Sequence, residues 1–141
     1  MEPRYSMRLW VQVMRALAER HNANAILGCL DPDSIVIDME NNVRLESPTQ
    51  CRDDYRAPEV LAGLPPDRQA DIYSMGVILY ELVCGSTENM GKKRAGELHR
   101  DVPGWLDDLI ERCTEKNLTK RYRTAEEVSA ALLKLKNASQ E

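Results

Sequence analysis

The chain has 141 residues, 30% of them charged and 43% hydrophobic, with 19 Lys and Arg against 23 Asp and Glu and a net charge of −4. This balance belongs to a soluble globular domain and excludes collagen-like, low-complexity and disordered chains. A single domain of this length buries a real core without disulfides or metal as staples.

Basic residues are spread along the chain, and only Lys92, Lys93 and Arg94 form a short run, read as a solvated loop. No nucleic-acid partner is expected. No stretch of about 18 uncharged apolar residues exists, so no membrane span is expected. The start Met1-Glu2-Pro3-Arg4 lacks the apolar segment of a signal peptide. Cys29, Cys51, Cys84 and Cys113 are widely spaced, with no Cys-x-x-Cys pair, and His21 and His99 lie far apart. That pattern predicts free thiols in a reducing cytoplasm and no metal.

The first strong period covers residues 5–21. Trp10, Val13, Met14, Leu17 and His21 fall on one helical face, with His21 closing the stripe as a packed or capping residue. Ile35-Val36-Ile37 and Val43-Arg44-Leu45, separated by turn formers, read as a β-hairpin that needs a helix to pack on. From Ser47 to Pro66 the chain is loop, broken by Pro48, Pro58, Pro65 and Pro66, with room for one helical turn at 57–61. Residues 71–84 are apolar nearly all round, which predicts a buried central helix stopped by Gly85. After a polar stretch to Asp101, Pro103 opens a further helix with Leu106, Leu109, Ile110 and Cys113 on one face. Thr124 and Glu127 have capping-box spacing at the start of a last helix whose stripe is Val128, Ala131, Leu132 and Leu135. The expected fold is mainly α: helices around a buried central helix, with one small hairpin, in a single domain over 1–141. Its parts are helix 5–21, loop and hairpin 27–46, segment 47–59, central helix 71–84 and C-terminal helices within 103–137.

Three blocks carry a resemblance. Tyr55-Arg56-Ala57-Pro58-Glu59 resembles the Ala-Pro-Glu motif that ends a protein kinase activation segment. Residues 71–82, Asp-Ile-Tyr-Ser-Met-Gly-Val-Ile-Leu-Tyr-Glu-Leu, resemble the buried central helix of the kinase C-terminal lobe. Residues 120–127, Lys-Arg-Tyr-Arg-Thr-Ala-Glu-Glu, resemble the late arginine segment in the form common among bacterial serine/threonine kinases. The order is the family's, and the likeness is to the C-terminal lobe alone. The resemblance implies that Glu59 pairs with Arg121 and that Asp71 braces the backbone of the catalytic loop.

The same resemblance implies that the chemical positions are lost. Continuing without gaps from His21, the His-Arg-Asp motif falls on Leu27-Gly28-Cys29 and the following lysine on Asp31, while Pro32 matches. The magnesium-binding asparagine falls on Ser34, and the Asp-Phe-Gly motif on Ser47-Pro48-Thr49. A thiol at Cys29 is a poor proton acceptor, and neutral hydroxyls at Ser34 and Ser47 are poor magnesium ligands. Asp31 places a negative charge where the family has a lysine, with Asp33, Asp38 and Glu46 nearby. The segment between 47 and 59 is short for an activation segment. The sequence opens at the helix 5–21 with no glycine-rich loop ahead of it, so an upper lobe is not expected.

The expectation is a catalytically inactive, pseudokinase-like C-terminal lobe that serves as a protein-binding, scaffold or regulatory module, without cofactor, ATP or magnesium. The alternatives are a functionless relic, a kinase completed in trans by an N-terminal lobe from another chain, and thiol chemistry at Cys29. Loss of the upper lobe would uncover Met7, Trp10, Val11, Met14, Leu27 and Leu30 for a homodimer or a protein partner. For Trp10 and Met14, core and interface are equally compatible with the sequence.

Overall fold

The computed structural model describes residues 3–40, 42–46, 51–99 and 102–139, with the backbone alone at 3–7, 136, 138 and 139. Helix α1 spans Pro3–Asn22. Its stripe Trp10, Val13, Met14, Leu17 and His21 is buried throughout. Asn24, with φ +61°, supplies the left-handed turn that ends the helix, and the Ala25 N–H returns to the Arg20 carbonyl at 2.8 Å. A 3-10 turn at Pro32–Ser34 leads into the hairpin β1 (Ile35–Ile37) and β2 (Val43–Leu45). The strands are antiparallel, with Ile35 opposite Leu45 and Ile37 opposite Val43. Asp38 holds the turn, its Oδ1 accepting from the N–H groups of Glu40 and Asn42 at 2.9 Å each. As the sequence requires, the pair rests on a helix: β2 packs against α1, and Arg20 Nη2 donates to the Leu45 carbonyl at 2.5 Å.

A second 3-10 turn at Asp53–Tyr55 and the short helix α2 (Pro58–Leu61) precede α3 (Arg68–Cys84). Helix α3 begins three residues before the predicted start, because Asp67 caps it by accepting from the Arg68 N–H at 2.7 Å. Gly85 ends it at φ +82°, a backbone angle that costs glycine little. Eleven of its residues are buried, from Ala70 to Val83. The single turn α4 (Ala95–Leu98), then α5 (Gly104–Cys113) and α6 (Ala125–Ser139), complete the chain. Pro103 sits at the N-cap of α5, one position outside the predicted first turn. Thr124 accepts from the Glu127 N–H at 3.0 Å, but Glu127 does not close the expected reciprocal box. Its carboxylate faces Arg112 at 3.3 Å instead.

Helix α3 is the hub: α1, α4, α5 and the 53–55 turn all pack on it, and α6 closes the outside against α1 and α5. The Trp10 indole N–H donates to the Met75 carbonyl at 2.9 Å, so α1 is both packed and hydrogen-bonded to the hub. Trp10, Met14 and Leu30, offered above as interface candidates, are at most 1% exposed and belong to this core. Val11 and Leu27 are half-buried against it, and the side chain of Met7 lies outside the described residues. The uncovered face expected on α1 is therefore filled by the chain's own helices. No helix among the described residues is long and apolar enough to cross a membrane.

Helices α3 and α5 approach closely at Gly76. A Cβ added at Gly76 would lie 2.7 Å from Cys113 Cβ and from Thr114 Cγ2. Glycine in a helix interior normally costs about 1 kcal/mol relative to alanine, so its presence here is a packing requirement. Gly76→Ala is expected to lower stability by about 1–3 kcal/mol in urea melts, the cost of overpacking, despite the gain in helix propensity. Gly104→Ala, with open space around the new methyl, is expected to be neutral or stabilising in the same assay.

Candidate functional site

The site is a pair of clamps on α3 and the loop they hold. Asp71 lies in the first turn of α3, fully buried, where the helix dipole favours a carboxylate. Its Oδ1 accepts from the Gly28 N–H at 2.7 Å. Its Oδ2 accepts from the Leu27 N–H at 3.0 Å and from His21 Nε2 at 2.8 Å. A carboxylate only accepts, so His21 Nε2 is the donor in this contact. His21 Nδ1 is buried without a hydrogen-bond partner. The stripe of α1 thus ends on a histidine because that residue reaches the hub aspartate. Gly28, at φ +86°, lets the loop turn both N–H groups toward one carboxylate, and a Cβ there would crowd Pro66 at 3.3 Å.

Ser74, one turn further along α3, makes the second attachment. Its Oγ accepts from the Leu30 N–H at 3.2 Å and donates to the Tyr55 carbonyl at 2.7 Å. One buried hydroxyl thereby joins loop 27–30 to the 53–55 turn. In the sequence Ser74 is one of three polar or charged residues, with Asp71 and Glu81, on the otherwise apolar stretch 71–84, and nothing there marks it as the joint between two loops. Tyr55 is also tied through its hydroxyl to Glu81, and the Arg52 guanidinium lies 5.1 Å from its ring. Burial and the Glu81 carboxylate push the Tyr55 phenol well above its ordinary 10.0.

Glu59 and Arg121 meet as the resemblance implied, in a two-pronged pair: Nη1 to Oε2 at 2.7 Å and Nη2 to Oε1 at 2.9 Å. Arg121 is buried and also donates to the carbonyls of Glu115 at 2.8 Å and Gln69 at 3.1 Å. The guanidinium is therefore matched on several sides, and it joins α2 to the segment before α6.

The positions assigned to chemistry are occupied by structural roles. Cys29 is not a free thiol: it is bonded to Cys51, across 22 residues of sequence, with both residues 8% exposed. This corrects the expectation of four free thiols and removes the ground for placing the chain in a reducing compartment. While the bond is closed, Cys29 has no thiol for nucleophilic chemistry. Cys84 and Cys113 are free, and burial pushes both thiols up, that of Cys113 to about 12. Asp31 does not stand in a cleft as an exposed charge. It is 1% exposed and caps the 3-10 turn, accepting from the Asp33 N–H at 2.9 Å. Ser34, fully buried, answers by accepting from the Asp31 N–H at 3.2 Å. Of the neighbouring acids, Asp38 is committed to the hairpin turn and Glu46 pairs with Arg44 at 3.0 Å. Ser47 lies outside the described residues. No cluster of His, Cys, Asp and Glu suited to a metal occurs among the described residues.

Burial of Glu59 pushes its carboxyl up, but the hydrogen bonds and charge of Arg121 outweigh this and hold it below the ordinary 4.5. A group depressed on folding contributes stability that is complete above its unfolded value and is lost as pH falls through its folded one. The melting temperature is therefore expected to fall as pH drops below 4.5, and Glu59→Gln to remove part of that fall. At pH 7, Glu59→Ala is expected to cost about 3–5 kcal/mol by stranding the arginine, with the double change Glu59→Ala, Arg121→Met recovering much of it in urea melts.

Residues 1–135 match the protein kinase domain family. The serine/threonine-protein kinase PkaB of Streptomyces coelicolor is 28% identical over 167 aligned residues, covering 94% of this chain and 40% of its own length. A probable serine/threonine-protein kinase of Clostridium perfringens is 27% identical over 161 residues, covering 93% of this chain and 24% of its own. PrkC of Bacillus subtilis is 24% identical, covering 92% and 25%. The chain thus spans less than half the length of each of these kinases. All three alignments, of 160 to 167 residues, are longer than its 141 residues, so within the shared region the relatives carry stretches that it lacks. With the family's match running almost end to end, and with its arginine–glutamate pair and hub aspartate in contact, this chain belongs to the protein kinase domain family.

Proposed function

We propose that this member of the kinase family works by binding protein and not by transferring phosphate. The observation that carries the reading is the state of the loop where the family keeps its base. On the ungapped register the base position is Cys29, which offers sulfur bonded to Cys51, or at most a thiol, where a carboxylate would be needed. Phosphoryl transfer depends on a proton acceptor, metal ligands and charge neutralisation held in position. Around Cys29 the side chains that could assist, Asp31 and Ser34, are turned inward and spent on the N–H groups of Asp33 and Asp31. Magnesium needs hard oxygen ligands with anionic character, and these two present none to solvent.

The bracing groups, by contrast, are kept. Asp71, Ser74, Glu59 and Arg121 all hold backbone or one another. A lobe that retains its braces while its chemical positions are built into caps and a cross-link is suited to presenting a surface. The partner is a protein, a second copy of the chain included. The contact face is not the α1 stripe, which is core.

The test is to mix the purified chain with millimolar ATP and magnesium and follow both phosphate transfer to a generic substrate and the melting temperature. Ligand binding to the folded state alone would raise the midpoint by several degrees at a hundredfold excess over its dissociation constant. No transfer and a midpoint unchanged within about 1 °C are expected. Transfer, or a magnesium-dependent rise that Ser34→Ala abolishes, would overturn the proposal.

A further inference from the structure

We propose that Cys29 and Cys51 form a reversible thiol–disulfide latch that fastens loop 27–30 to the segment entering the 53–55 turn. The argument starts from how each end is held without the bond. Loop 27–30 is anchored on α3 at three points: the N–H groups of Leu27 and Gly28 on Asp71, and that of Leu30 on Ser74. The 53–55 turn is anchored on the same helix by the Tyr55 carbonyl on Ser74 and the Tyr55 hydroxyl on Glu81. Cys29 immediately precedes Leu30, and Cys51 lies four residues before Tyr55. Their Cα atoms are 6.2 Å apart.

Two thiols so placed stay near each other after the bond is cut, because five attachments to one rigid helix keep their flanks in register. That is the requirement for a bond that opens and recloses, as opposed to a staple whose loss lets the chain fall apart. The other two cysteines do not compete for the exchange. Cys113 is fully buried at the contact between α3 and α5, and Cys84 ends α3 half-buried. Both thiols are held protonated by burial, which suppresses the thiolate needed for attack.

Opening needs a reductant, and a dithiol is the class that completes it. One thiolate of the dithiol attacks a sulfur of the pair and displaces the other cysteine as a thiolate. The second thiol of the reductant then attacks the mixed disulfide, closing its own ring and releasing the remaining cysteine. Two electrons pass to the chain, and the two cysteine sulfurs each take up a proton. Closing reverses these steps with a disulfide oxidant such as oxidised glutathione. At 8% exposure on each residue the sulfurs are guarded, so reduction in the folded chain proceeds slower than in a free peptide. The latch is independent of whether the chain binds nucleotide.

The experiment uses the whole chain, purified without reductant. Thiol titration in denaturant is expected to count two thiols, rising to four after dithiothreitol, as the four cysteines require. The reduced chain is expected to remain folded, with a melting temperature about 10 °C lower, the effect of removing a cross-link over a loop of this size. Trypsin is expected to cut faster after the exposed Arg52 once the latch is open, and oxidised glutathione to restore both the midpoint and the protection. Cys51→Ser should match the reduced chain and ignore dithiothreitol; if it fails to fold, the reduced wild-type chain supplies the same readings. Four thiols in the untreated chain that oxidised glutathione cannot lower to two would overturn the latch. So would a midpoint indifferent to reduction, or a reduced chain that unfolds and does not reclose.

Discussion

The buried carboxylate of Asp71 is the constraint on which this fold turns. A fully buried charge is costly unless its lone pairs are filled, and here three donors fill them: His21 Nε2 and the N–H groups of Leu27 and Gly28. Those donors come from the end of α1 and from the loop that follows it. Satisfying one side chain therefore fixes where α1 stops, how the chain turns at Gly28 and which way the loop crosses the head of α3. Position in the first turn of the helix adds the favourable dipole. The apolar contacts of α1 with α3 supply most of the burial, but they are non-directional. The carboxylate supplies the direction.

The remaining polar attachments extend the same arrangement along α3. Ser74 takes the loop on one side and the 53–55 turn on the other. Arg121 gathers Glu59, Gln69 and Glu115 around one guanidinium at the far side of the helix start. Such groups contribute specificity more than net stability, since a buried pair roughly offsets its own desolvation. What they decide is the path of the loops. In this chain Asp31 and Ser34 are satisfied within their own 3-10 turn, and Cys29 is bonded to Cys51.

Much of this was legible in local pattern. The α1 stripe, the all-round apolar α3 and its Gly85 stop depend on helical period and on backbone preference, which are properties of short windows. The Glu59–Arg121 contact came from the family resemblance and not from spacing. The cap formed by Asp31 and Ser34 was open to reading as well: an aspartate before a proline, with serine three residues on, is an N-cap signature. It was missed because the family register framed those positions as chemical ones. Gly76 could be seen as an anomaly within a helix, but its reason, Cys113 and Thr114 in contact, lies 37 and 38 residues away.

The sequence by itself determined the helical periods, the hairpin, the stops and the family, because each rests on neighbours along the chain or on motif order. Only the tertiary structure decided that Trp10 and Met14 are core, that Cys29 meets Cys51, and that one serine hydroxyl joins two loops. The physical reason is the same in each case. Burial and pairing depend on which surfaces are brought together at long range, and an amphipathic stripe or a lone thiol has the same local pattern whatever finally covers it.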